Sequence, residues 1–223
     1  MLQSLIMIKK VVGLHYSPAG GTAKMTRLLT REIAKRLSEC SPHEIAVESM
    51  YLRAGEELPE VNEETVVILG MPVYVGKIPL PGIKALREIE GSGAMTLALV
   101  AYSGHDYGNA LYELTHFADE RGLSVIGAGA IAITYASLRG ESFGKSAIID
   151  TISLGEYAEA AAKKIQRLGA CDVEGLKIKP APLEVRGRLP MHRMSRISPR
   201  AAAMAQMALD RLPIGRKESE WFL

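Results

Sequence analysis

Cysteine is scarce: Cys40 and Cys171 are the only two in 223 residues, and they lie far apart. They form no Cys-x-x-Cys pair, and with the five histidines they make no metal spacing. An iron–sulfur cluster or structural zinc site therefore has no ligand set. The same scarcity fits a reducing compartment. Excess charge of one sign is also missing, since 27 Lys and Arg stand against 25 Asp and Glu for a net +2. A dedicated nucleic-acid binder would concentrate a basic face, so no nucleic-acid partner is expected. Long hydrophobic runs are absent near the start. Met1 to Val12 holds two lysines and only a short apolar run, too broken for a membrane span. It lacks the ordered charged start, apolar core and cleavage site of an export signal. The expectation is a cytoplasmic chain without a membrane span. No Ser/His/Asp arrangement or carboxylate pair emerges from spacing either, and no catalytic residue is assigned.

What is present is a regular alternation. Ile8 to Leu14 is a short apolar run, followed by the small-residue stretch Ser17-Pro18-Ala19-Gly20-Gly21-Thr22. Ala23 to Leu37 then repeats Met25, Leu28, Leu29, Ile33, Ala34 and Leu37 at helical spacing, which predicts strand, glycine turn and helix. A strand is expected over 43–49 and a weak helix near 83–89. Val66-Val67-Ile68-Leu69 and Met95 to Ala101 are continuous apolar strands of the kind buried on both faces. Asn109 is placed to cap a helix with Leu111, Leu114, Phe117 and Ala118 inside. Leu123 to Ile133 reads as the fifth strand and Gly155 to Leu168 as an amphipathic helix. The pattern predicts a doubly wound α/β domain with a five-stranded parallel sheet over 1–168. Residues 169–223 are basic and proline-containing. They read as a tail with a short helix near 200–212, packing on the domain or on a partner.

Ligands in such sheets bind at the carboxyl ends of the strands. Three loops meet that edge: 15–22, 71–77 and 102–109. In the first, Gly20, Gly21 and Ala19 let backbone N–H groups approach an anion, while Ser17 and Thr22 add hydroxyls and the next helix adds its positive end. It reads as a phosphate nest or as an ordinary tight turn. Lys24 is placed to assist by charge. The order of residues is neither a dinucleotide fingerprint nor a Walker A loop. In the other two loops, Tyr74, Tyr102 and Tyr107 read either as faces for a flat heterocycle or as packing residues. Gly76, Gly104 and Gly108 offer backbone to polar ring edges. His15 reads as a hydrogen-bonded structural histidine.

These loops resemble those of the flavodoxin family. More narrowly, the chain is similar to the flavodoxin module that precedes a two-cluster ferredoxin module in certain bacterial and archaeal proteins. Gly70-Met71-Pro72-Val73-Tyr74-Val75-Gly76 matches that module's segment after the third strand in full. Ser17 to Thr22 matches its phosphate loop in part, with Ala19 in place of threonine and Gly21 in place of asparagine. Tyr102-Ser103-Gly104-His105-Asp106-Tyr107 keeps both tyrosines of its third loop. The resemblance implies sheet order 2-1-3-4-5 and non-covalent FMN. The phosphate would meet Ser17, Ala19, Gly20, Gly21 and Thr22. The ring would sit between loops 71–77 and 102–109, against Pro72, Val73, Tyr74, Gly76, Tyr102, Ser103, Gly104 and Tyr107. The two replaced phosphate donors each remove a hydrogen bond of about 1.5–3 kcal/mol. The ferredoxin module's cysteines are absent.

The family carries electrons between redox partners, so the resemblance implies an electron-transport flavoprotein served by a ferredoxin or reductase. Two alternatives stand beside it. One is an oxidoreductase, an FMN-dependent NAD(P)H reductase of a quinone or other small acceptor, with its pocket completed by a second subunit in a homodimer. The other is a binding or assembly module of the same fold without flavin.

Overall fold

The computed structural model describes residues 7–103, 106–135, 147–170, 183–185, 187 and 219–223. β1 (Lys10–His15) turns into α1 (Gly21–Ser38), and β2 (Ala46–Tyr51) and β3 (Thr65–Pro72) follow. Next come α2 (Leu80–Leu86), β4 (Met95–Tyr102), α3 (Ala110–Glu120) and β5 (Ser124–Tyr135). β6 (Ala147–Ile149), α4 (Thr151–Ala170) and β7 (Glu220–Phe222) complete the order. The strands lie in the order β2-β1-β3-β4-β5, all parallel. This is the doubly wound, flavodoxin-like arrangement, and it reverses direction between β1 and β3.

The sheet separates two cores. Val11, Val66, Ile68 and Leu97 face α1 and α4, while Val12, Val67, Leu69 and Ala98 face α2 and α3. Every residue of β3 and β4 is buried, which is why these strands read as unbroken apolar runs. Each large apolar side chain there contributes about 1.5–3 kcal/mol by leaving water. α1 seats on the sheet through a stripe of threonines. A Cβ on Gly70 would collide with the Thr26 hydroxyl, and one on Gly13 would stand 2.5 Å from that of Thr30.

Three expectations are corrected. Among the described residues the sheet has seven strands, not five. β6 pairs antiparallel with the far end of β5, and β7 pairs antiparallel with residues 128–130. Each is three residues long, too short to show a period. β2 runs over 46–51 rather than 43–49. It is an edge strand with its first four residues exposed, so burial imposes no alternation on it. α2 begins at Leu80, three residues early, because Pro79 is extended at its N-cap and a proline follows in the first turn. Cys171 and the helix expected near 200–212 lie outside the described residues. No helix among the described residues is long and apolar enough to cross a membrane.

Candidate functional site

The loop after β1 is organised by serine and glycine. Gly20 adopts φ 81°, ψ −19°, the left-handed region where glycine carries no steric cost. Its N–H donates to the Ser17 carbonyl at 3.2 Å, closing a turn. The Ser17 hydroxyl accepts the Ala23 N–H at 2.9 Å, so it caps α1 from three residues before the N-cap. An oxygen that accepts this bond still has its proton to donate. The Lys24 N–H reaches the Gly20 carbonyl at 3.0 Å. The Gly21 and Thr22 N–H groups, ahead of it, have no acceptor within the helix. No acidic residue occupies the first turn, leaving the positive end of the helix unopposed. Lys24 does not serve this loop: its ammonium donates to the Ala147 carbonyl of β6 at 2.7 Å. Ala19 and Gly20 are partly exposed, while Ser17 and Thr22 are buried.

Aromatic groups frame the same loop. The His15 ring meets Tyr51 edge-on at 5.9 Å, and Tyr16 lies 5.6 Å from Tyr51. Burial pushes the Tyr16 phenol up to about 12. His15 is fully buried, and neither ring nitrogen makes a hydrogen bond of standard geometry among the described residues, although the Gly13 carbonyl lies close enough to act on the ring. Burial, reinforced by the Arg27 charge and opposed by the Gly13 carbonyl, lowers its pKa to about 4. The ring is therefore neutral at neutral pH.

The second and third loops are locked together. Tyr74 and Lys77 exchange backbone hydrogen bonds of 2.9 and 3.2 Å around Val75 and Gly76, whose φ values are 55° and 72°. Both central residues of this turn lie at positive φ, which is unusual for a β-branched residue such as Val75. Val75 is nonetheless 61% exposed. The Asn109 N–H donates to the Gly76 carbonyl at 2.8 Å. Asn109 stands at the N-cap of α3 as expected, but its side chain makes no capping bond. Gly108, at φ 55°, packs its backbone directly on Gly76. Of the tyrosines, Tyr74 is half-buried. Tyr102 and Tyr107 are both buried, 5.7 Å apart, and the Tyr107 hydroxyl donates to Glu220 at 2.6 Å. Pro72 and Val73 are buried, and Ser103 is half-buried. Gly104 and His105 lie outside the described residues.

No protein-family profile matches the chain, and no curated protein matches its sequence. Solved structures do. A flavodoxin from the domain Archaea is 17% identical at a TM-score of 0.48, the match covering 70% of this chain and 99% of the flavodoxin. A WrbA-like flavodoxin from Agrobacterium tumefaciens is 14% identical at a TM-score of 0.46, over 72% and 97%. The rubredoxin:oxygen oxidoreductase of Desulfovibrio gigas is 16% identical at 0.41, over 72% of this chain and 37% of that one. The structural neighbours are flavodoxin-like proteins. The fold class rests on the sheet order described above.

Two residues of this edge, Tyr51 and Glu113, had no conspicuous sequence signal. Tyr51 falls beyond the strand expected there. Glu113 of α3 is buried, and its carboxylate accepts the Ile78 N–H at 3.0 Å. It thereby ties α3 to the end of the Tyr74–Lys77 turn. Burial raises its pKa, against the Ile78 N–H and the Lys77 charge, which lower it. The folded chain then holds a proton that the unfolded chain releases above the ordinary value of 4.5. Stability falls as pH rises from there through the raised value. Glu113→Gln keeps an acceptor and removes the charge. Its melting temperature is expected to equal or exceed that of the parent protein at pH 8, with the gap closing towards pH 4. Glu113→Ala leaves the Ile78 N–H unsatisfied and is expected to cost about 1–3 kcal/mol. Thermal unfolding across pH checks both.

Proposed function

We propose that the chain binds FMN at the carboxyl edge of its sheet and passes electrons between redox partners. The observation that carries this is the loop after β1. A left-handed Gly20, a capping Ser17 with its proton to donate, and the Gly21 and Thr22 N–H groups stand at the head of α1, beside the point where strand order reverses. The donors present fit a phosphate, although Ala19 and Gly21 supply no side-chain contact. Phosphate binding therefore rests on backbone N–H groups and two hydroxyls, Ser17 and Thr22.

Bound FMN would supply the redox chemistry. The chain's own residues would anchor, orient and shield it. Half-buried Tyr74 and exposed Val75 are the surfaces available to a ring, together with the backbone of the Tyr74–Lys77 turn. Tyr102 and Tyr107 back this turn from inside, since a fully buried ring offers no face for stacking. The likeness over Gly70–Gly76 to modules that exchange electrons with ferredoxins or reductases supports this reading. The contact between Gly76 and Gly108 favours one other reading, a binding module of this fold without flavin, because the two loop backbones touch at those residues.

The test is visible absorption after excess FMN is added and the unbound fraction removed. Ser17→Asp is the informative variant. A carboxylate still accepts the Ala23 N–H, so melting should shift little. Its charge opposes the phosphate, and FMN affinity is expected to fall at least about tenfold. Riboflavin, which has no phosphate, should bind the two proteins alike. No retained flavin in the parent protein would overturn the proposal. Turnover of a free quinone with NAD(P)H would place the flavin protein among reductases instead of carriers.

A further inference from the structure

β7 is held on the sheet by several independent features. Its backbone pairs with β5, matching Glu220 to Ala130, Trp221 to Gly129 and Phe222 to Ala128. The bare faces of Gly127 and Gly129 make room for it: a Cβ on Gly129 would stand 2.6 Å from the Trp221 ring, and one on Gly127 2.7 Å from Leu223. Trp221 then stacks on Tyr157 with centroids 4.2 Å apart and planes at 22°. The Ser219 hydroxyl accepts the Ala132 N–H at 3.3 Å. Strand alternation sends Trp221 to the α1–α4 side and Phe222 to the α2–α3 side. Glu220 shares the face of Phe222, and there its carboxylate receives the Tyr107 hydroxyl at 2.6 Å.

Tyr107 opens the segment that grips the second loop. Its carbonyl accepts the Ala110 N–H at 3.1 Å, Gly108 abuts Gly76, and the Asn109 N–H holds the Gly76 carbonyl. We infer that Glu220 is a positioning residue for the candidate site: through the Tyr107 hydroxyl it fixes residues 107–109, and through them the Val75–Gly76 turn that the ligand meets. The inference rests on the proposed ligand site at these loops. Its structural half, the coupling of β7 to the turn, stands without a ligand.

Trp221 is the only tryptophan in the chain, so its fluorescence and near-ultraviolet dichroism report docking of β7. Amide hydrogen exchange at Asn109 reports the turn. Glu220→Ala and Tyr107→Phe are each expected to speed Asn109 exchange by about fivefold or more, and their combination no further, as one lost hydrogen bond dictates. Glu220→Gln, which retains an acceptor, should recover part of the protection. In the full chain loaded with FMN, Glu220→Ala and Tyr107→Phe should weaken retention by a similar factor while Trp221 stays docked. Unchanged Asn109 exchange in Tyr107→Phe would overturn the inference, even if Glu220→Ala frees the strand. Unchanged FMN retention alongside faster exchange would remove Glu220 from the site while leaving the coupling. Failure of the parent protein to bind FMN is a different result, and counts against the cofactor alone.

Discussion

Gly108→Ala is expected to lower folding stability by about 2–5 kcal/mol and to unfasten the second loop from the third. Two costs add. At φ 55° an alanine enters the left-handed region, at about 1–2 kcal/mol. Its Cβ would also stand 2.6 Å from the Gly76 Cα and 2.7 Å from the Gly76 oxygen. Both are backbone atoms that cannot swing aside, and overpacking of this kind costs about 1–3 kcal/mol. Relief requires the loops to part, and the Asn109–Gly76 hydrogen bond lies on that seam. Two reference substitutions separate the terms. Gly55 has φ 81° and nothing within 4 Å of its Cβ direction, so Gly55→Ala measures the backbone cost alone. At Gly76 the nearest atom to an added Cβ is 3.3 Å away, so Gly76→Ala should fall between the two. Urea unfolding is expected to rank the midpoints Gly55→Ala, Gly76→Ala, Gly108→Ala from high to low. Equal midpoints for the first and last would show that the loops are not in contact.

The sequence makes the parallel core legible because burial on both faces writes itself into composition. Val66 to Leu69 and Met95 to Ala101 contain no polar interruption except Thr96, and its hydroxyl donates to the Ala94 carbonyl. The helical repeat from Met25 to Leu37 is equally plain, since one face meets the sheet and the other meets water. The candidate loops are legible from their small residues and tyrosines. What those tyrosines do is not, because their partners are remote in sequence. Tyr107 is bound by a carboxylate 113 residues away, and Lys24 by a carbonyl 123 residues away. A three-residue strand such as β7 has no period to read, and its bed, Gly127 and Gly129, resembles a turn signal unless the strand laid on it is seen. The burial of His15 and Glu113 follows the same logic: local sequence shows a polar residue, and only the packed neighbours show that it is dry.

Acid is expected to destabilise the protein through His15 by up to about 3 kcal/mol between pH 6.5 and about 4. The unfolded chain takes up a proton at the ordinary histidine value. The buried ring refuses it until about pH 4, chiefly because charging a dry imidazole loses hydration and secondarily because Arg27 repels it. The unfolded state binds more protons throughout that window, so stability is retained above pH 6.5 and lost as pH falls. His15→Phe keeps an aromatic ring against Tyr51 but cannot titrate, and the acid slope should flatten. Glu113 acts in the opposite sense, since its contribution declines as pH rises from 4.5. The two slopes oppose each other where the windows overlap above pH 4.5, so the parent profile understates both there. His15→Phe should therefore expose a profile that falls with rising pH, and Glu113→Gln one that rises more steeply than the parent's. Urea unfolding at half-unit pH steps resolves these shapes. A His15→Phe profile parallel to the parent's would show that the ring is hydrated or charge-paired in the folded chain. Its place next to the Ser17 loop would then put that water or charge beside the proposed phosphate site.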